Sequence, residues 1–194
     1  MCKKGFNWAD RLSSRPLPHA DAWTSFTLQL YPGMVWGIAT VVLSPRKLYL
    51  ATKPVYYKCL PFLGVQCHIE LPWRTLPECF QGIGLPNFSL ISLSSKLQLL
   101  QCIWGFKDAA SMSLRMGYES FVMDIGMYGN ALTLNYDKFS GLATNDTWFK
   151  NLWELLQEFE VSATFGKDTQ LLPMQEGDKS LMSEFSKYYS GCEL

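Results

Sequence analysis

The chain has 194 residues, of which 48% are hydrophobic, 14% aromatic and 18% charged. This composition excludes the apolar-poor, highly charged class of disordered chains, and it is sufficient to bury one ordinary core or two small ones. The formal net charge is zero, which excludes a general attraction to phosphate, and the one apolar run, residues 33–43, is shorter than the roughly 20 residues of a membrane-spanning helix.

The first part of the chain is predicted to contain one helix between less regular segments. Residues 1–7 are polar and basic, and we expect them to be frayed. Apolar residues at helical spacing predict a helix over residues 16–31, which Pro32-Gly33 should interrupt. Residues 34–43 are apolar on all sides, so periodicity alone leaves a buried strand and a buried helix open.

A second helix and a connector follow. Ser44 and Pro45 form a typical helix start, with a hydroxyl N-cap and proline at the first helical position. Pro54 is expected to kink the helix or to split it, and Gly64 to end it. Residues 71–88 combine proline and glycine with several large apolar residues, which predicts a rigid, partly buried connector.

The remainder is predicted to be helical with one extended segment. Asn87 or Ser89 is expected to cap a leucine-rich helix that reaches Trp104, and Asp108 to cap a helix that ends near Tyr128. Residues 131–139 alternate apolar and polar side chains, which predicts a short β segment or an extended lid.

Two further helices are expected near the end of the sequence. Residues 145–147 should cap a helix that runs to Phe159, and a short last helix should begin at Asp178 or Ser180 after a loop. The predicted fold is therefore mainly α: a helical bundle in two packed blocks, residues 1–70 and 89–194, joined by the connector 71–88.

Several short motifs, in a fixed order, carry a family resemblance. They are Trp8 with Arg11-Leu12-Ser13, the segment Leu30-Tyr31-Pro32-Gly33-Met34-Val35-Trp36-Gly37, the turn Pro61-Phe62-Leu63-Gly64, the pair Trp73-Arg74, and Gly82-Ile83-Gly84-Leu85-Pro86-Asn87-Phe88. This order resembles the thumb and adjoining region downstream of the palm in reverse transcriptases of non-LTR (LINE-like) retrotransposons. The resemblance favours helix for residues 34–43 and a thumb-like character for the first block.

The resemblance implies a fragment of an RNA-directed DNA polymerase without its catalytic site. The metal-binding Tyr/Phe-x-Asp-Asp motif of such enzymes does not occur in the sequence, and its Asp residues are dispersed. We therefore expect no enzymatic activity and no cofactor. The expected partners are RNA or an RNA–DNA hybrid, bound weakly and without sequence preference, and the missing palm and fingers of the parent protein.

The candidate nucleic-acid contacts are mostly the basic residues of residues 1–75, which hold nine Lys or Arg against three acidic residues. Phosphate binding is mainly electrostatic, so we select seven of these cations together with Trp73, a candidate for stacking: Arg11, Arg15, Arg46, Lys47, Lys53, Lys58, Trp73 and Arg74. Two alternatives stay open. Trp73 has apolar neighbours typical of a core residue, and the cations are equally typical of a solvated surface.

Cysteine and histidine suggest no further chemistry. Six Cys are scattered without the short paired spacings of a zinc site, and neither His19 nor His68 is placed to form a catalytic pair with a thiol. We expect no bound metal, reduced thiols and an intracellular location, cytoplasmic or nuclear.

A different class of function competes with nucleic-acid binding. Seven Trp and twelve Phe are many for a domain of this size, which suggests a surface that a partner covers. The alternative prediction is a helical protein–protein interaction module, or a degenerate retroelement remnant that does not bind nucleic acid. Self-association through exposed aromatic residues belongs to this alternative.

Overall fold

A computed structural model describes residues 2–15, 17–126, 130–143 and 145–163. Within these ranges the regular structure is helical, as predicted. The α-helices are α1 (Cys2–Ser14), α2 (His19–Ser25), α3 (Tyr31–Val35), α4 (Pro45–Cys59), α5 (Leu71–Thr75), α6 (Phe88–Trp104), α7 (Ala109–Ile125), α8 (Tyr136–Phe139) and α9 (Trp148–Glu158). A π-helical turn covers Phe26–Leu30, and short 3₁₀ turns cover Leu60–Leu63, Glu78–Phe80 and Ala131–Thr133.

The chain forms two compact units, Met1–Ser95 and Lys96–Leu194. The connector 71–88 lies within the first unit, where Leu85 and Phe88 join the hydrophobic core. Within the described residues, no helix has both the length and the apolar character needed to cross a membrane.

The first helix is the largest departure from the predicted elements. α1 begins at Cys2, so the expectation of a frayed segment over residues 1–7 is wrong for its described part. The reason is tertiary packing on α4. An ideal Cβ at Gly5 would lie 2.5 Å from Val55 Cγ1, so only glycine lets the two helices approach this closely.

The second helical segment continues past the proline expected to end it. The Tyr31 N–H donates to Phe26 O across the π-helical turn, and Pro32 then occupies the first turn of α3, where its missing N–H is tolerated. α3 ends at Val35. The expectation of helix over residues 34–43 is therefore wrong beyond that point, because residues 36–40 form turns with Gly37 at a φ of 77° and residues 41–44 are not helical.

α4 begins as predicted, because the Ser44 side chain accepts a hydrogen bond from the Lys47 N–H. The helix is not split at Pro54, whose side is exposed, so water can satisfy a carbonyl that lacks its helical partner. Gly64, with a φ of 76°, terminates the following 3₁₀ turn as predicted. Asn87 rather than Ser89 caps α6, since its Oδ1 accepts hydrogen bonds from the Ser89 and Leu90 N–H groups.

Backbone hydrogen bonds hold the connector in one conformation. Ile83 N–H donates to Trp73 O at 3.0 Å, and Leu85 N–H donates to Arg74 O at 2.7 Å. A Cβ at Gly82 would lie 2.0 Å from Leu76 O, so the chain passes too close to itself there for any other residue. The close approach at Leu76 accounts for glycine at position 82.

The second unit is organised around α7 and α9. Asp108 caps α7 as predicted, by accepting from the Ser111 N–H at 2.8 Å, and Gly126 ends the helix with a φ of 71°. Thr147 caps α9 in the same way. The predicted loop and last helix of residues 166–189 lie outside the described residues.

The short β segment predicted at residues 131–139 is wrong. This stretch forms a 3₁₀ turn and then α8, because Asn130 Oδ1 accepts from the Leu132 N–H and Asn135 Oδ1 accepts from the Lys138 N–H. Side chains that bond the nearby backbone compete with strand pairing, and they override the alternating pattern here.

Candidate nucleic-acid interface

A groove of about 610 Å³ lies along α1 in the first unit. Among the described residues, three cationic side chains line it, those of Lys4, Arg11 and Arg15, and no acidic side chain does. Lys4 and Arg11 are seven positions apart and so share one face of the helix, and Arg15 follows four positions later, just after the last helical residue. The groove therefore carries a concentrated positive charge.

One wall of the groove is held by a chain of hydrogen bonds. Trp8 Nε1 donates to Ser25 Oγ at 2.9 Å, and Ser25 Oγ donates to Gln29 Oε1 at 3.3 Å. The Trp8 ring also meets Phe26 edge to face, with centroids 6.1 Å apart. These contacts fix α1 against α2 and the π-helical turn, so the cations project from a preformed surface.

The negative charge of Asp10, the acidic residue of α1, is neutralised by an ion pair. Asp10 forms an ion pair with Lys58 on α4, and the Lys58 ammonium lies 5.4 Å from the centre of the Phe6 ring. Lys58 does not line the groove. Lys58 as a phosphate contact stays a prediction, for a cation that already has an ion-pair partner within the unit.

Arg74 is a structural residue. Only 7% of its surface is exposed. Its Nε donates to Ile69 O at 2.6 Å, one of its terminal nitrogens donates to Cys67 O at 3.1 Å, and its guanidinium lies 5.3 Å from the centre of the Tyr57 ring. The prediction of Arg74 as a phosphate contact is wrong, because these contacts turn the side chain inward to brace the connector.

The remaining predicted cations lie on α4, away from the groove lining. Arg46 and Lys47 are exposed in its first turn, and Lys53 is exposed one to two turns later. The Lys53 ammonium lies 5.8 Å and 5.7 Å from the ring centres of Tyr49 and Tyr57. These three residues form an accessible basic face, but the structure does not bring them into the groove with Arg11 and Arg15.

Trp73 is half exposed, at 52%, so the interpretation of this side chain as a core residue is wrong. Its backbone is fixed through the hydrogen bond that its carbonyl accepts from Ile83. An accessible indole on a fixed backbone is a suitable stacking surface, so Trp73 stays in the candidate set.

Lys4 is the groove cation that the sequence did not lead us to select. The signal was present, since a helix over residues 2–14 aligns positions 4 and 11. The polar, glycine-containing sequence of residues 1–7 concealed it, because the helix depends on the close contact of Gly5 with Val55.

The thiols and carboxylates add no second site in the described residues. Burial raises the pKa of the Cys59 thiol to about 12, which keeps it protonated and unreactive near neutral pH. Within the same ranges, no three His, Cys, Asp or Glu side chains converge in a way that could hold a metal ion.

Comparison with known proteins adds no assignment. No protein-family model, no curated protein and no solved structure matches this chain.

Proposed function

We propose that this chain binds RNA or an RNA–DNA hybrid through the sugar-phosphate backbone, weakly and without sequence preference, and that it has no catalytic activity of its own. The observation that carries this proposal is the groove along α1, whose lining, in the part of the chain that the structure describes, holds three cations and no acid. Phosphate contacts dominate sequence-independent affinity, and three cations are few, so the affinity should be modest and sensitive to salt.

The resemblance to retrotransposon reverse transcriptases supports the same function. A thumb-like block holds template and primer beside a catalytic palm, so backbone contacts are the activity that such a piece could perform alone. On this proposal the natural partners are nucleic acid and the palm and fingers of the parent enzyme, in the cytoplasm or the nucleus.

The experiment is fluorescence anisotropy of a labelled RNA–DNA hybrid across a salt series from about 50 to about 200 mM. The test variant is the double substitution Arg11→Gln/Arg15→Gln. The matched control is Lys107→Gln/Lys138→Gln, which removes two exposed charges from the second unit. Log K falls as log salt rises. We expect the test variant to reduce the magnitude of this slope by up to about 2, and the control to leave it unchanged.

Two outcomes would overturn the proposal. Absence of binding at low salt by a chain with a helical circular-dichroism spectrum would exclude a surviving nucleic-acid function. Equal loss of slope in the test and control variants would show a general charge effect that does not depend on the groove.

A second candidate function, protein binding including self-association, is favoured by a stripe of methionines on α7. Met112, Met116 and Met123 are 63%, 67% and 64% exposed, and their spacing of four and seven places them on one face of the helix. Exposed methionines suit adaptable protein contacts. Sedimentation at low and high salt tests this function, because self-association that is insensitive to salt and is lost in Met116→Lys supports it.

A further inference from the structure

A second, smaller cavity adjoins the basic groove. It has a volume of about 260 Å³ and is lined mainly by apolar side chains: Met34, Trp36, Ile38, Val41, Leu43 and Leu48. Lys4 and Gly33 line both cavities. The Lys4 stem passes over Gly33, since an ideal Cβ there would lie 3.9 Å from Lys4 Cδ. A cation therefore stands on the border between a polar site and an apolar one.

The form of this pocket restricts what it can hold. Its volume is below the roughly 300–1,000 Å³ of pockets for drug-sized ligands, so it suits a single planar ring system. Trp36 lines the pocket and yet is 88% exposed, which places most of the indole at the mouth, accessible to an incoming ring. Met34 and Ile38, at 2% and 4% exposed, provide a buried apolar base.

We propose that this pocket receives one unpaired base of a single-stranded nucleic acid whose phosphates lie in the basic groove. This inference rests on the proposed function. Lys4 can contact a phosphate from the groove side while the attached base enters the pocket and stacks on Trp36, because base and phosphate of one nucleotide lie on opposite sides of a short sugar. The chain then prefers single strands to duplexes, since a paired base must first be unstacked and unpaired.

The test compares three labelled probes at one low salt concentration: a short single-stranded RNA, the same strand with abasic positions, and an RNA–DNA hybrid. Stacking on an aromatic side chain predicts that the intact single strand binds about 5-fold or more tightly than the abasic strand. Trp36→Ala should abolish that difference. Lys4→Met should weaken the binding of both the intact and the abasic strand, because it removes the phosphate contact that they share.

Phe106→Ala is the matched control, since this aromatic side chain is 60% exposed and belongs to the second unit. It should keep the full preference for the intact strand. Quenching of tryptophan fluorescence gives a second readout. The intact strand should quench the native chain more than the Trp36→Phe variant, and the abasic strand should leave the fluorescence of the native chain unchanged. Because Trp36 is 88% exposed, neither Trp36→Ala nor Trp36→Phe should impair folding.

The outcomes separate the pocket from the groove. Equal affinity for intact and abasic strands, with binding still weakened by Arg11→Gln/Arg15→Gln, would overturn the pocket proposal and leave the groove proposal standing. Absence of binding to all three probes would overturn both. A salt-insensitive dimer that Trp36→Ala dissociates, with no change in the base preference, would identify the pocket as a contact between two copies and also overturn the inference.

Discussion

The first unit contains the two most exposed tryptophans, whereas the second contains a continuous buried aromatic cluster. In the second unit Tyr118, Phe121, Phe149 and Trp153 are all buried and form one continuous cluster, with ring centres 5.1 to 6.3 Å apart along its contacts. In the first unit two tryptophans, Trp36 and Trp73, are 88% and 52% exposed. A buried aromatic cluster stabilises a fold, whereas an exposed indole is accessible to a ligand.

The two units also differ in net charge. Residues 1–95 hold nine basic and four acidic residues, a net charge of +5, and residues 96–194 hold eight basic and thirteen acidic residues, a net charge of −5. In the second unit Arg115 donates to Trp104 O and Lys150 donates to Ala143 O. In the first, Arg11 and Arg15 line an open groove. The binding that we propose would therefore lie in the first unit, whereas the buried aromatic cluster of the second unit stabilises its fold.

The largest expected effect is on the stability of the second unit. Trp153→Ala should lower the free energy of unfolding by about 3–5 kcal/mol, because the side chain is buried within the cluster and its Nε1 donates to Leu134 O at 2.8 Å. Trp36→Ala should change stability by less than about 0.5 kcal/mol, because so little of that side chain is buried. Denaturant unfolding measures both. A Trp36→Ala variant as destabilised as Trp153→Ala would refute the comparison.

A smaller effect is expected from two helical glycines. Gly5→Ala should destabilise by about 1–3 kcal/mol, because its Cβ would meet two Val55 methyl groups at 2.5 and 2.8 Å. Gly117→Ala on α7 should instead stabilise by up to about 1 kcal/mol, since its Cβ meets only Phe149, at 3.6 Å, and alanine is the better helix former. Thermal unfolding gives the sign of each change. Stabilisation by Gly5→Ala would contradict the close packing of α1 on α4.

The smallest effect concerns the pH dependence of stability in the second unit. Lys96 is fully buried, its ammonium lies 5.0 Å from the centre of the Trp148 ring, and burial lowers its pKa from 10.5 to about 8. Between those pKa values the unfolded chain binds more protons than the folded one at this site, so the Lys96 contribution to stability rises with pH. The gain between pH 8 and about pH 9 is about 1 kcal/mol.

Lys96→Met serves as the reference for that measurement. The difference in unfolding free energy between the native chain and this variant cancels the opposing contribution of Cys59, whose raised pKa favours unfolding at alkaline pH. The native chain should gain stability relative to the variant as pH increases through this window. A constant difference would show that Lys96 is not buried as a titrating amine.

Local signals in the sequence predicted the helix starts well. Ser44, Asn87, Asp108 and Thr147 each accept a backbone hydrogen bond at the predicted position, because such a cap depends on residues only two or three positions away. The alternating pattern of residues 131–139 wrongly predicted a β segment. Here Asn130 and Asn135 accept backbone hydrogen bonds of the same local kind, and these favour a 3₁₀ turn and a short helix.

Tertiary contacts explain the rest of the errors, and they affect the candidate site most. Arg11, Arg15 and Lys4 are all visibly charged in the sequence, but only Lys4 lies in the segment expected to be frayed. Lys4 was missed because its helix requires the contact of Gly5 with α4. Nothing near Arg74 in sequence indicates that Ile69 and Cys67 fold back to accept its hydrogen bonds. The burial of a cation is a property of the fold, and composition does not reveal it.

The most direct test of the assignment of binding to the first unit is photocrosslinking of the intact chain to a single-stranded RNA that carries a photoreactive base, with the crosslinked residues identified by mass spectrometry. We predict crosslinks within residues 2–43, at α1 and around Trp36, that decrease as salt increases. Crosslinks confined to residues 96–163, or unchanged by salt, would contradict it.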